Sequence, residues 1–407
     1  MLRCGLLGER LGYSYSPAIH ARLGEYGYKL YEVPREGLEA FLARTPFDGL
    51  NVTIPYKKAV VPYCAELSDT ARALGSVNTL VRRADGTLFG DNTDAFGFET
   101  LLRTAGIDPA GKKTLVLGSG GASVTVCRVL RELGAASVTV ISRSGADNYD
   151  NLDRHADAEL IVNATPVGTY PGNGASAVDP GRFPALKGAV DLIYNPARTA
   201  FLLRAEELGV PNAGGLTMLV AQALRSSELF QGKSLDTALI PAIQKELELQ
   251  MRNIILIGMP GCGKTTVARA LAAALGRAAT DADDLLVESA GKPIPAIFAQ
   301  GGETIFREYE TQLLQKLGRE SGLILATGGG CVTRPENYPL LHQNGTIFWL
   351  RREVDKLARE GRPLSEGADL AAMYAARAPL YARFADHVVD NNGPVEDTVA
   401  AILEALR

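Results

Sequence analysis

Two glycine-rich turns, each lying between an apolar run and a helical run, and a repeated alternation of short β-rich and helical runs predict an α/β protein built from more than one domain. The turns are Leu117-Gly118-Ser119-Gly120-Gly121-Ala122 and Gly258-Met259-Pro260-Gly261-Cys262-Gly263-Lys264-Thr265. Up to about residue 225, β-rich runs such as 49–53 and 190–193 alternate with helical runs such as 201–208, the pattern of parallel sheets covered by helices. The turns differ in kind, so two chemistries are expected on one chain.

Size and composition permit this. A chain of 407 residues, 46% hydrophobic and 22% charged, has room for two or three domains with large cores. A formal net charge of -4, with no Lys/Arg block interleaved with aromatics, offers no field for nucleic acid. Cys4, Cys64, Cys127, Cys262 and Cys331 are odd in number, scattered and without a Cys-x-x-Cys pair. That argues for free thiols in a reducing compartment, and against a disulfide framework or a zinc site. The first residues are too short and glycine-broken a run for a signal-peptide core, and nowhere do 18 apolar residues run together. The expectation is a cytoplasmic protein that engages no membrane.

Along the chain, residues 77–81 and 88–90 flank Arg83-Ala84-Asp85-Gly86 as a hairpin, which interrupts the alternation before residue 95. A subdomain over about 1–94 and 226–250, a second over about 95–225, and a separate domain over 251–407 are expected. The helix-forming, charged stretch 241–250 leads directly into the strand of the second glycine turn, which puts the main boundary near 250. The Gly/Ser/Pro-rich stretch 169–181 reads as a long surface loop beside a cofactor site.

The first glycine turn follows the apolar run 113–117 and opens the helical run 122–133, the setting of a dinucleotide-binding βαβ unit. Its spacing, Gly-x-Gly-Gly-Ala, departs from Gly-x-Gly-x-x-Gly. The next strand, 137–141, ends in Ser142-Arg143-Ser144, where a dinucleotide site usually carries an acid for the ribose 2′-hydroxyl. A guanidinium there favours the 2′-phosphate of NADP; a solvated surface arginine would look the same in sequence.

Reduction of a ketone needs a hydride donor and a group that protonates the developing alkoxide. Lys57 follows a strand and Pro55, at a sheet edge of the kind where ligands bind. Asp94 closes Asn92-Thr93-Asp94 before the helical run 95–103. An N-cap for that helix is the structural alternative for Asp94, and simple solvation the alternative for Lys57.

With these residues in place, Ser14-x-Ser16-Pro17-x-x-His20, Asn51-Val52-Thr53-x-Pro55-x-Lys57, Val77-Asn78-Thr79, Asn92-Thr93-Asp94 and Asn163-Ala164-Thr165-Pro166 occur in order. Asp191-x-x-Tyr194-x-Pro196 and Met218-Leu219-Val220-Ala221-Gln222 follow. Over residues 1 to about 245 the chain resembles shikimate dehydrogenase. The resemblance implies that Lys57 and Asp94 are catalytic and that Ser14 and Ser16 hold the substrate carboxylate. Thr53, Asn78, Tyr194 and Gln222 would hold ring hydroxyls and carboxylate. It further implies NADP(H) held by Gly118, Ser119, Gly120, Gly121, Ala122, Arg143, Thr165 and Gly215. Tyr13, where the family usually has His, and Thr217, where a glycine often precedes Met218, depart from the pattern, and Tyr13 leaves the choice between shikimate and quinate open.

The second glycine turn follows the apolar run 253–257 and precedes the helical run 267–275, the context of a P-loop. Its backbone amides wrap phosphates, Lys264 reaches the β/γ oxygens of a nucleoside triphosphate, and the Thr265 hydroxyl suits Mg²⁺. Asp281 and Asp283, two apart at a strand end, suit Mg²⁺ and an acceptor hydroxyl. Arg307 in a helix, the flexible Gly328-Gly329-Gly330, and the arginines Arg362 and Arg377 complete the set.

In this order over 251–407 the motifs resemble shikimate kinase, a relative of the nucleoside monophosphate kinases. The resemblance implies that Gly258, Gly261, Cys262, Gly263, Lys264, Thr265, Thr266 and Arg362 serve ATP, and that Thr265 and Asp281 serve Mg²⁺. Asp283 would bind and activate the acceptor hydroxyl, Arg307 and Arg377 would clamp its carboxylate, and Gly328, Gly329 and Gly330 would contact its ring. The expected function is therefore NADPH reduction of 3-dehydroshikimate to shikimate in one half and ATP phosphorylation of shikimate in the other. A quinate-type dehydrogenase joined to another small-molecule kinase, or a chain with one non-catalytic regulatory half, are the alternatives.

Overall fold

In a computed structural model, every residue except Tyr13, residues 359–368 and Arg407 is described. The chain divides into two compact units. The first comprises Met1–Thr169, Ala175–Tyr194 and Phe201–Glu246; the second comprises Tyr170–Gly174, Asn195–Ala200 and Leu247–Arg407. No helix among the described residues is long and apolar enough to cross a membrane.

The first unit holds two sheets. One contains β1 (Arg3–Gly8), β2 (Gly27–Glu32), β3 (Gly49–Val52), β4 (Glu66–Leu67), β5 (Thr79–Arg82) and β6 (Leu88–Asp91), in the order β2-β1-β3-β5-β6-β4. The hairpin read from the sequence is present, with Arg82 opposite Leu88. A tight hairpin joins antiparallel neighbours, as β5 and β6 are; β5 also runs antiparallel to β3, and this sheet is mixed.

The other sheet contains β7 (Lys113–Leu117), β8 (Ser137–Ile141), β9 (Leu160–Asn163), β10 (Gly188–Asp191) and β11 (Asn212–Ala213), all parallel, in the order β11-β10-β9-β7-β8. The chain order reverses between β7 and β9, which opens a crevice at their carboxyl ends. The glycine turn after β7 lies there. On the helix Gly121–Glu132, Val126, Val129 and Leu130 repeat at three and four residues and are buried. The helix Leu216–Gln231 is continuous, so a subdomain break at 225/226 would cut one helix in two. Its buried residues run from Thr217 to Phe230 and cover most of its circumference, as in a helix packed among other elements.

The second unit is built on β12 (Asn253–Ile257), β13 (Ala279–Asp281), β14 (Ile324–Ala326), β15 (Gly345–Arg351) and β16 (His387–Asp390), all parallel, in the order β13-β14-β12-β15-β16. The run Ile254-Ile255-Leu256-Ile257 is wholly buried because β12 is central and covered on both faces. Full burial of each such side chain contributes on the order of 2 kcal/mol. The segment Ile294–Leu317 is helical on either side of a break at Gly301 and Gly302, and Gly302, at φ 67°, restarts the helix that carries Arg307.

Candidate active sites

In the first unit a cavity of about 200 Å³ opens at the carboxyl ends of β1 and β3. Ser14, Ser16, Thr53, Lys57, Asn78, Tyr194 and Gln222 all line it, so seven residues drawn from distant motifs converge on one space. Lys57 lies on the short helix Tyr56–Ala59, its carbonyl held by the Val77 amide at 2.8 Å. Its Nζ donates to Asp94 Oδ2 at 2.6 Å. Asp94 is the first residue of the helix Asp94–Thr104 and not its cap: Thr93 occupies that position. The Asp94 carboxylate is therefore spent on side chains. Its second oxygen accepts from Asn78 Nδ2 at 2.9 Å, while its own amide donates to Asn92 Oδ1 at 3.1 Å.

A buried polar network underlies this pair. Asn78 Oδ1 accepts from the Thr93 amide at 2.8 Å and from Thr79 Oγ1 at 2.9 Å. Ser226, fully buried, accepts from Asn51 Nδ2 at 2.8 Å, lies 2.9 Å from Thr79 Oγ1 and 3.1 Å from Thr93 Oγ1, and donates to the Gln222 carbonyl at 2.9 Å. Sequence reading missed Ser226, since a serine inside a helix carries no signal until the fold buries it. His20 also lines the cavity, 2.6 Å through Nδ1 from Tyr26 Oη and stacked on Tyr28 at 4.0 Å. Burial lowers its pKa from 6.5 to about 3, with a smaller opposing contribution from Asn51, so the ring is neutral at physiological pH.

At the β7/β9 crevice, Gly118 has φ 101° and the helix Gly121–Glu132 begins directly after the turn. No atom lies within 4 Å of where side chains on Gly120 and Gly121 would begin. The helix N-terminus thus faces open space bordered by bare backbone, which fits a dinucleotide pyrophosphate. Thr165 is fixed across the crevice by Asn163 Oδ1, which accepts from its amide at 3.1 Å and its hydroxyl at 2.7 Å. Ser119 and Arg143 are exposed and Ala122 is half-buried. Gly215 is buried where any side chain would meet the Leu192 carbonyl oxygen at 2.0 Å.

In the second unit, Gly258, Gly261 and Gly263 take φ 145°, 81° and 98°, a backbone course that L side chains rarely follow. Buried Cys262 sits among them, and exposed Thr266 faces outward on the first helical turn. Lys264 is buried and donates to the Gly258 and Met259 carbonyls at 2.9 and 3.1 Å, so it is held folded over the loop. Thr265 Oγ1 donates to Asp281 Oδ2 at 2.6 Å, and Asp281 Oδ1 accepts from the Asp283 amide at 3.0 Å. The Thr265–Asp281 pair is a hard-oxygen set of the kind Mg²⁺ uses when phosphate and water supply its other ligands.

Facing this loop, Gly328, Gly329 and Gly330 follow β14. Arg377 Nη1 and Tyr381 Oη both donate to the Gly329 carbonyl, at 3.2 and 2.5 Å. A side chain on Gly330 would begin 1.9 Å from Arg307 Nη2, and one on Gly328 would begin 2.4 Å from Glu310 Oε1 and 3.0 Å from Asp283 Oδ1. The glycines thus let backbone approach three charged groups that converge on one point. Arg307 is 5% exposed and donates through Nη1 to Glu310 Oε2 at 2.7 Å and through Nη2 to Glu303 at 2.9 Å. Burial works against its charge, but the two glutamates outweigh it and raise the Arg307 pKa.

Glu310, beside Gly328 and Arg307, is a residue that sequence reading missed. It is 1% exposed, and its Oε1 has no hydrogen-bond partner among the described residues. Burial raises its pKa, partly offset by Arg307. The only sequence signal was its place three residues after Arg307, which on an exposed helix would be an ordinary surface pair. Burial also pushes the neighbouring Cys331 thiol up to about 12, leaving it unreactive. Arg362 lies outside the described residues, as does Tyr13.

Fold and sites together define an oxidoreductase of the nicotinamide-dinucleotide class on the first unit and a P-loop phosphotransferase on the second. Residues 6–80 match the family model for the shikimate dehydrogenase substrate binding domain, and residues 260–407 match that for shikimate kinase. The chain is 32% identical over 265 residues to the NADP(+) shikimate dehydrogenase of Clostridium perfringens, covering 60% of this chain and 97% of that protein. A chorismate mutase/shikimate 5-dehydrogenase fusion protein from Clostridium acetobutylicum matches at 37% identity and TM-score 0.58, over 61% of this chain and 97% of that one. Shikimate 5-dehydrogenase from Thermus thermophilus, solved with NADP(H) and shikimate, matches at 35% identity and TM-score 0.55, over 60% of this chain and 99% of that one. The chain belongs to the shikimate dehydrogenase family and carries a shikimate kinase domain at its C-terminal end, making it a bifunctional shikimate-pathway enzyme.

Proposed function

We propose that Lys57 and Asp94 carry the reduction of 3-dehydroshikimate to shikimate, and that Lys264, Asp283, Arg307 and Arg377 carry the transfer of the ATP γ-phosphoryl group to shikimate. The observation that carries the first half is the 2.6 Å Lys57–Asp94 contact at the wall of a cavity lined by small hydroxyl and amide groups. Such groups match a polyhydroxylated ring acid one polar atom at a time. Bound NADPH supplies the hydride. Lys57 delivers a proton to the alkoxide oxygen, and Asp94, fixed by Asn78, holds the ammonium and accepts from the neighbouring ring hydroxyl. Ser14 and Ser16, which line the same cavity, bind the carboxylate. Gly118 to Ala122 hold the pyrophosphate, Thr165 and Gly215 flank it, and Arg143 takes the 2′-phosphate.

In the second unit Asp283 orients the acceptor hydroxyl and draws its proton as the bond to phosphorus forms. Lys264 and the loop amides offset charge on the transferring group, and Thr265 with Asp281 serves Mg²⁺. Arg307, braced by Glu310, binds the acceptor carboxylate together with Arg377. The ketone carbon reduced at the first site bears the hydroxyl phosphorylated at the second, so the product of one reaction is the substrate of the other. The domain division follows the same reading: residues 1–250 hold the dehydrogenase and 251–407 the kinase.

Half-reaction assays on the intact chain test this. Lys57→Ala is expected to abolish NADPH-dependent reduction and keep shikimate phosphorylation, and Lys264→Ala the converse. Loss of both activities in either variant, or of neither, contradicts the assignment. Quinate in place of shikimate tests the alternative substrate: equal turnover would replace shikimate with a broader cyclohexane acid specificity.

A further inference from the structure

Arg352 directly follows β15 at the carboxyl edge of the third sheet. β15 pairs with β12 in the register Ile257 to Trp349, so the chain leaving β15 runs beside the glycine loop leaving β12. Two measurements fix how near. The Leu350 carbonyl oxygen lies 2.6 Å from where a side chain on Gly258 would begin, and Arg352 Nη1 lies 3.5 Å from where one on Gly263 would begin. Gly263 immediately precedes Lys264, so the guanidinium sits beside the loop amides that face phosphate.

The partners of Arg352 are the second observation. Its Nε is buried with no hydrogen-bond partner, and it forms no ion pair among the described residues. Two other arginines of this unit that lose solvent are satisfied, Arg307 by two glutamates and Arg277 by a cluster of backbone carbonyls. A half-buried guanidinium has lost part of its hydration and is normally repaid by an anion or by acceptors. At Arg352 the described residues supply neither, and the glycine loop lies beside it. Asn391, whose Nδ2 donates to the Cys262 carbonyl at 2.5 Å, closes the side of the loop next to it.

We propose that Arg352 is a nucleotide-binding residue of the kinase site, donating to phosphate oxygens of the bound nucleoside di- or triphosphate alongside Lys264. This rests on reading the second unit as a kinase. It adds a cation beyond those expected from the P-loop and the arginines Arg307, Arg362 and Arg377. Arg352 is placed toward the nucleotide, away from the acceptor pocket formed by Arg307, Glu310 and Asp283.

The test is the binding of ADP to the full chain by titration calorimetry, for the wild type and for Arg352→Ala, Arg352→Lys and Arg352→Gln. Loss of one charge-assisted phosphate contact predicts about tenfold weaker ADP binding in Arg352→Ala. Arg352→Lys should recover part of the loss and Arg352→Gln none. Shikimate affinity, melting temperature and NADPH-dependent reduction should stay at wild-type values. ADP affinity within twofold of wild type in Arg352→Ala overturns the proposal. So does full recovery by Arg352→Gln, or a parallel loss of shikimate affinity and melting temperature, since each marks a packing role. Failure of the wild type itself to bind ADP would instead remove the kinase reading on which the proposal stands.

Discussion

Asn78 and Asp94 are joined at 2.9 Å, and that bond, together with the 2.6 Å contact from Lys57, leaves neither carboxylate oxygen of Asp94 free to turn. Asn78 is itself held by Thr93 and Thr79. Asp94→Asn keeps the shape and removes the charge that orients Lys57. The expected outcome is a 10²- to 10⁴-fold fall in kcat for reduction, the range of positioned proton transfer. Shikimate phosphorylation by the same chain should be unchanged. A loss under tenfold in stopped-flow NADPH oxidation would show that Asp94 takes no part in the chemistry.

Ser226→Ala removes the acceptor of the Asn51 amide and loosens Thr79 and Thr93. A buried donor left unsatisfied costs about 1–3 kcal/mol. The first unit should unfold correspondingly more readily, and kcat for reduction should fall more than KM rises, because Ser226 is fully buried and does not line the cavity. Unchanged kcat with lowered stability would confine the network to folding.

Gly330→Ala places a methyl group 1.9 Å from Arg307 Nη2, so the buried guanidinium must shift and its contact with Glu310 with it. The Gly330 φ of -107° is open to alanine, so the effect arises from displacement of Arg307 and not from the backbone. The KM for shikimate should rise tenfold or more while ADP affinity holds. Equal losses for both ligands would indicate wider damage to the unit.

His20 gives the first unit an acid-sensitive core. Burial lowers its pKa from 6.5 to about 3, so the unfolded chain takes up a proton below pH 6.5 that the folded protein refuses. Stability from this group is therefore intact above pH 6.5 and declines as pH falls toward 3. At pH 5.0 the loss is about 2 kcal/mol. Hydrogen exchange of β1 and β3 at pH 7.5 and 5.0 should show it, and His20→Gln should flatten the difference. An equal pH dependence in that variant would rule His20 out as the cause.

How much of this was legible in the sequence depended on the range of the signal. β7 and β12 coincide with runs read from apolar patterning alone, because buried parallel strands are short, apolar and bounded by turns. The cavity residues Ser14 to Gln222 were legible as motifs. That they meet in one cavity follows from the order of six strands, which no local pattern encodes. Asp94 read equally well as a helix cap, since an aspartate at a helix start looks alike in both roles; only Lys57 and Asn78 at its oxygens distinguish them. Glu310 and Ser226 were illegible for one reason. A polar residue within a helix reads as solvent-facing until tertiary packing buries it.

The most direct measurement supplies the intact protein with 3-dehydroshikimate, NADPH and Mg-ATP, and follows NADPH absorbance together with the product mass. Stoichiometric NADPH oxidation with appearance of shikimate 3-phosphate is the predicted result. NADPH oxidation with shikimate accumulating unphosphorylated would contradict the reading of the second unit, and no oxidation at all would contradict that of the first.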